Sequence, residues 1–167
     1  DAAISASGMD ISGALTLVWV GKMKAVYDAT TSHWAVIFKA FIDASNYIVF
    51  RQEGTLPAVS LYVAGGGIGF AFPSSPAIDD YWVVLATYAG GTLTAYLNGS
   101  VVGTAGSGGV MPATAATLYL GRDSGAQYYD ISKPLFAALI GSALTAAQVK
   151  TYSRYLRDKF NLPGVFA

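Results

Sequence analysis

The sequence predicts an all-β fold, a two-sheet antiparallel β-sandwich of jelly-roll type, closed by one C-terminal α-helix. Three observations predict it. The stretch from Tyr81 to Thr104 holds three apolar, β-branched and aromatic runs, punctuated by Gly90-Gly91 and Asn98-Gly99. Asn-Gly suits a type I′ hairpin turn, because both central residues there need positive φ. Hydrophobic residues make up 53% of the chain and charged residues only 12%, against a usual charged share of roughly 25%, which is the reverse of a disordered composition. Near Thr145 the apolar pattern switches from strand period to helix period.

Residues 1–167 are expected to form one domain, long enough to bury roughly 70% of the unfolded surface. Ala14 to Lys22 reads as a strand, with Leu15, Leu17 and Trp19 on one face and Val18 and Val20 on the other. Apolar residues on both faces point to a strand covered by a second sheet. His33 to Phe41 follows, then a turn over Asp43-Ala44-Ser45-Asn46. Tyr47 to Glu53 alternates, placing Ile48 and Phe50 on one face and Tyr47, Arg51 and Glu53 on the other. After the break at Gly54 to Pro57, the residues Val59, Leu61 and Val63 form a core-facing set that leaves Ser60 and Tyr62 outward.

Gly65-Gly66-Gly67 is a corner, Ile68 to Phe72 a short strand, and Pro73 to Pro76 its end. The meander from Tyr81 comes next. Gly106 to Pro112 is a loop, Thr117 to Gly121 a strand, Arg122 to Lys133 the longest polar stretch, and Leu135 to Ile140 the last strand. Thr145-Ala146-Ala147-Gln148 then matches a capping box, and Val149, Tyr152, Leu156 and Phe160 recur at helical spacing. The helix is expected over about 145–160, ended by Pro163-Gly164.

Composition narrows the function. Ten cations balance ten acids, so no basic excess exists to neutralise phosphates and nucleic acid is not an expected partner. Cysteine is absent, which removes disulfides, thiolate metal sites and cysteine nucleophiles. The uncharged stretch Pro134 to Val149 is interrupted by Gly141, Ser142 and Thr145, too short and mixed for a membrane span. A soluble protein is expected. The chain starts at Asp1 without an initiator Met or a leader, so a processed product or a domain of something longer is expected. Few charges and 19 Gly leave an apolar surface that favours burial against another copy or another protein.

Tyr88 through Thr104 resembles the central hairpin of laminin G-like, concanavalin A-like lectin/glucanase jelly rolls. Leu118-Tyr119-Leu120-Gly121-Arg122 is similar to the strand that follows it there. Leu139 to Val149, with Leu144-Thr145-Ala146-Ala147-Gln148, resembles the ending of that family, and Ser153 to Leu162 looks like the terminal helix of bacterial and phage members. The match covers the second half of the chain by motif and the first half by strand pattern. Two departures are notable. Tyr81-Trp82-Val83 stands where the family often has Trp followed by His residues, and no acid occurs across Pro134 to Gly141.

The resemblance implies glycan chemistry, and some relatives hydrolyse β-glucans. Hydrolysis needs two carboxylates flanking the scissile bond. Glu53 is the only glutamate, so the glucanase pattern Glu-x-Asp-x-x-Glu is absent. Asp79-Asp80 would face opposite sides of a strand and reads as a loop cap, while Asp123 and Asp130 read as loop carboxylates. His33 is the sole histidine; Ser32 and Ser60 are its formal nucleophile partners, but no Gly-x-Ser-x-Gly elbow exists. The Gly-rich stretches lack the Gly-Lys-Ser/Thr of phosphate loops and read as turns. No catalysis and no resident metal or cofactor are expected; calcium on loop carboxylates and carbonyls is the one ion considered.

The remaining candidate is sugar binding, which combines aromatic platforms with Asn, Asp, Arg or Gln. Tyr47, Arg51, Tyr62 and Tyr96 fall on the expected outward faces of their strands. Tyr128 and Tyr129 lie in the polar loop with Arg122, Asp123 and Gln127. The expected function is a non-catalytic carbohydrate-binding or adhesion domain of a larger bacterial or phage surface or tail protein, located outside the cell or on the virion. The expected partner is a glycan or cell-surface polysaccharide. The alternative is a structural assembly module whose partners are a second copy or virion proteins.

Overall fold

The computed structural model describes residues 4–23, 35–53, 56–63, 66–71, 80–106, 109–121 and 132–162. Eleven strands and one helix follow in order: β1 Ile4–Asp10, β2 Leu15–Met23, β3 Ala35–Asp43, β4 Asn46–Glu53, β5 Leu56–Val63, β6 Gly66–Ala71, β7 Tyr81–Ala89, β8 Thr92–Leu97, β9 Ser100–Gly106, β10 Ala115–Leu120, β11 Ser132–Ile140 and α1 Ala146–Phe160. They build a six-stranded sheet, ordered β1-β10-β3-β4-β5-β6, and a five-stranded sheet, ordered β11-β2-β7-β8-β9. Neighbours are antiparallel throughout. The expected all-β sandwich with a C-terminal helix is the observed fold.

The hairpins form where turn chemistry dictates. Asn98 and Gly99 have φ of 51° and 82°, and Gly90 and Gly91 have 54° and 79°, the paired left-handed geometry that matches the twist of the flanking strands. The Asn98 turn is also tied to the β7 backbone, since its Oδ1 accepts from Val83 N at 2.9 Å and its N donates to Val83 O at 2.8 Å.

The core lies between the sheets. Leu15, Leu17 and Trp19 of β2 and Val84, Ala86 and Tyr88 of β7 pack against Ile37, Phe38 and Ala40 of β3 and Ile48 and Phe50 of β4. Trp19 and Phe50 cross it with ring centroids 5.2 Å apart, a tilted contact favoured by the ring quadrupoles. Tyr88 closes one end, its buried hydroxyl accepting from Met111 N at 2.8 Å.

A second apolar layer covers the other side of the five-stranded sheet. Val18 and Val20 of β2, Val83 and Leu85 of β7 and Tyr96 of β8 cluster with Val149, Leu156 and Leu162 from α1 and its end. So β2 is apolar on both faces because both are covered, one by a sheet as expected and the other by the helix. The capping box at Thr145 and Gln148 is present, and Asn161 ends the helix in the left-handed conformation. Sequence expectation omitted β1, whose Ser5, Ser7 and Gly8 give no apolar run. The strand is irregular between Ala6 and Met9, where Gly8 has φ of 85°. The expected features at His33, Pro73 to Pro76, Asp79 and Pro163-Gly164 lie outside the described residues, as do Gly54 and Gly65, but Leu56 and Pro57 of the expected break belong to β5 and Gly66 and Gly67 of the expected corner to β6.

Candidate aromatic binding face

With α1 on the five-stranded sheet, the outer face of the six-stranded sheet carries an aromatic row, while Lys39, Val49 and Arg51 on the same face are nearly buried. Strand alternation places Lys39 and Phe41 of β3, Tyr47, Val49 and Arg51 of β4, and Thr117 and Tyr119 of β10 opposite to their inward neighbours Phe38, Ala40, Ile48, Phe50 and Leu118. Register aligns them: Tyr119 faces Lys39, Phe41 faces Tyr47, and Tyr47 faces Tyr62 of β5. Phe41 lies 6.2 Å from Tyr47 and 6.3 Å from Tyr119, centroid to centroid. All three rings are half-buried. The Lys39 ammonium sits 4.5 Å above the Phe41 ring and 4.4 Å above that of Tyr47, a cation–π arrangement that braces the rings.

The row ends at a tight turn that supplies polar groups. Asp43 accepts from Ser45 N at 2.7 Å and from Asn46 Nδ2 at 3.0 and 3.1 Å. The bond from Asn46 and then that from Ser45 N hold the Asp43 carboxyl below its ordinary value of 3.8. Apolar rings bordered by a carboxylate, an amide and a hydroxyl match a sugar's C–H faces and hydroxyl rim.

Three of the expected residues, Tyr47, Arg51 and Tyr62, therefore sit on strands of one sheet, in one register. Two expectations need correction. Tyr96 is on the outward side of its own strand, but that side lies beneath α1, and the ring is 5% exposed. Arg51 is on the outer face yet only 3% exposed, so it underlies the surface instead of presenting its guanidinium to solvent. Arg122, Asp123, Gln127, Tyr128 and Tyr129 lie outside the described residues, as do Asp130, His33 and Ser32. Phe41, Lys39 and Tyr119 were missed, although counting alternation back through the Asp43–Asn46 turn from Tyr47 reaches Phe41 and Lys39. Among the described residues no group of three or more His, Cys, Asp or Glu is placed to hold a metal ion. No helix there is long and apolar enough to cross a membrane.

The model of the concanavalin A-like lectin/glucanases superfamily matches residues 18–150, and the chain belongs to that family. Comparison with curated proteins gives no match. Among solved structures, the chain is similar to the heptameric SAP-like pentraxin of Limulus polyphemus, at 19% identity and a TM-score of 0.66 over 89% of this chain and 75% of that one. It is also similar to the ligand binding domain of botulinum neurotoxin serotype D, solved with N-acetylneuraminic acid (14%, TM-score 0.66, 89% of this chain, 37% of that one). A third is domain 4 of a GH43 extracellular arabinanase from Geobacillus stearothermophilus, solved with arabinotriose (13%, TM-score 0.63, 86% of this chain, 69% of that one). These likenesses show the fold. The chain spans well under half of the neurotoxin fragment.

Proposed function

We propose that this chain is a non-catalytic carbohydrate-binding domain, and that the outer face of the six-stranded sheet around Phe41, Tyr47 and Tyr119 contacts the glycan. The observation that carries this reading is the row of three half-buried rings braced by Lys39 and bordered by Asp43 and Asn46. Support comes from the neighbours that were solved with N-acetylneuraminic acid and with arabinotriose. Arg122, Asp123, Gln127, Tyr128 and Tyr129 belong to the proposal as further glycan contacts, resting on the sequence. The domain serves an extracellular or virion-surface protein of bacterial or phage origin, on the strength of the terminal-helix resemblance.

A glycan array followed by titration calorimetry tests it. Tyr47→Ala should weaken the best binder about tenfold or more, the scale of one lost aromatic contact, with a nearly unchanged melting temperature. Tyr128→Ala/Tyr129→Ala should weaken it too. Unaltered affinity in Tyr47→Ala would remove the sheet face from consideration.

A second reading, an assembly module, is favoured by the edge strand β9. Its sequence Ser-Val-Val-Gly-Thr-Ala-Gly carries no charge, and Val101 is 57% exposed, without the charged guards that usually protect a free edge. Light scattering that finds a stable dimer or trimer, lost on Val101→Lys, would support it.

A further inference from the structure

β11 is an edge of the five-stranded sheet. β2 pairs with one side of it, and among the described residues no strand pairs with the other. Free edges are usually guarded by charge, proline or a bulge. β11 carries these only at its start, as Lys133, Pro134 and the register shift between Pro134 and Phe136. From Leu135 to Ile140 it is uncharged, and Leu135 is 45% exposed. Such an edge directs backbone N–H and C=O groups outward, where an added strand can pair with them.

Two open cavities lie along β11, on its opposite faces. The first, of about 430 Å³, has five consecutive residues of β11, Pro134 to Ala138, as one wall and Phe38, Leu118 and Leu120 of the six-stranded sheet as the other. The second, of about 610 Å³, lies on the helix side, between Ile140 and Leu144 and the Thr151, Tyr152 and Tyr155 side of α1. Ala137 packs towards the sandwich core and Ile140 towards the helix layer. Cross-strand partners share a face. A residue set opposite Ala137 therefore enters the first cavity, and one set opposite Ile140 enters the second. These two positions are three apart in an added strand, an odd spacing that points them to opposite sides. One extended segment thus reaches both cavities. Charge adds a further requirement. Register sets Lys133 opposite Lys22 of β2, like charges that repel across the pair, and Lys159 of α1 lies 5.9 Å from the Phe136 ring. Neither Lys22 nor Lys159 makes an ion pair among the described residues.

We propose that the free edge of β11 takes up an extended segment of another protein by strand addition. Large apolar side chains of that segment fill the two cavities, and an acidic residue at one end lies beside Lys22 and Lys133. A second copy of β11 fits less well. Paired two-fold about Ala137 it would set that methyl group against its own equivalent, leaving the first cavity unfilled, and it has no acid to offer the lysines. The site lies apart from the aromatic row on the six-stranded sheet and does not depend on the glycan reading.

Panning a displayed library of random decapeptides on the immobilised chain, then titrating the strongest selected peptide, tests this. The selected sequences should place large apolar residues three apart, with an acid at one end. Methylating every second backbone nitrogen of the peptide should abolish binding in one phase, where the N–H groups face β11, and spare it in the other. Leu135→Lys puts a charge on the edge, and Thr151→Arg obstructs the helix-side cavity. Each should weaken binding about tenfold or more, and both should melt like the parent because both positions are exposed. Lys133→Glu should weaken it as well, while melting no lower, since it sets an acid opposite Lys22. Val101→Lys, on the edge strand β9, should bind the peptide normally. The proposal is overturned if no sequence is enriched above the blank support, if both methylation phases act alike, or if Leu135→Lys binds fully. Loss of binding in Val101→Lys alone would assign the peptide to β9 and overturn this site. Self-association of the parent in sedimentation that Leu135→Lys abolishes would make the occupant a second copy, which also overturns it.

Discussion

Thr16 is fully buried in β2, yet it is polar because it holds the chain on its way into α1. Its Oγ1 donates to Ser142 O at 2.8 Å and accepts from Leu144 N at 3.0 Å, joining residues 126 and 128 positions apart in sequence. Thr16→Val keeps the shape and removes both bonds, leaving Ser142 O and Leu144 N without this partner at a part-buried site. The expected loss is about 1–3 kcal/mol, read as a fall in melting temperature of about 2–4 °C per kcal/mol for a chain of this size. Asp10 and Asp43 are surface counterparts. Each accepts from a side chain and a backbone N–H nearby, Ser12 supplying both for Asp10, and each carboxyl is held below its ordinary value of 3.8. With folded values below the unfolded one, their contribution is complete above that value and is lost as pH falls through the lowered one. The melting temperature should therefore be flat with respect to these groups at neutral pH and decline in acid below about pH 4. Asp43→Asn should flatten that acid decline, and an unchanged acid slope would rule out the turn carboxylate as a contributor.

Elements were legible where local chemistry decides them. Asn98-Gly99, Gly90-Gly91 and the Thr145/Gln148 capping box each specify a backbone conformation within four residues, and each occurs as expected. Thr145→Ala should cost about 1 kcal/mol, the usual worth of an N-cap, measurable by chemical unfolding. What the sequence hides are contacts made by distant strands. β1 has too weak a pattern to announce itself and exists through its pairing with β10. Gly103 is another such case. It looks like a turn residue beside Thr104, but it lies within β9, where an added Cβ would fall 2.6 Å from Phe70 Cε1 on β6. The glycine is there so that the ring can seat at the seam between the sheets. Gly103→Ala should destabilise by about 1–3 kcal/mol through overpacking, and combining it with Phe70→Leu should recover part of that loss.

At the scale of the molecule, two sheets of similar composition have different outer surroundings, and this explains both the success and the error of sequence reading at the site. Alternation correctly placed Tyr47 and Tyr96 on outward sides, but no periodicity says which sheet the helix will cover. α1 settles it, leaving Tyr47 half-exposed and Tyr96 nearly sealed. That cover is also a matter of stability. Val18, Val20, Val83, Leu85 and Tyr96 on the sheet and Val149, Leu156 and Leu162 opposite them are all buried there. At about 1.5 kcal/mol or more for each large apolar side chain, their burial is worth on the order of 12 kcal/mol, comparable to the entire net stability of a typical domain, about 5–15 kcal/mol. The helix is thus the third layer of the fold and not an appendage. A chain ending at Leu144 should show no cooperative thermal transition by circular dichroism and should self-associate through the uncovered valines in sedimentation. Leu156→Ala in the full chain should lose about 2–5 kcal/mol while leaving the aromatic row on the opposite sheet unchanged. A truncated chain that remained monomeric and melted cooperatively would mean that the sandwich core alone sustains the fold.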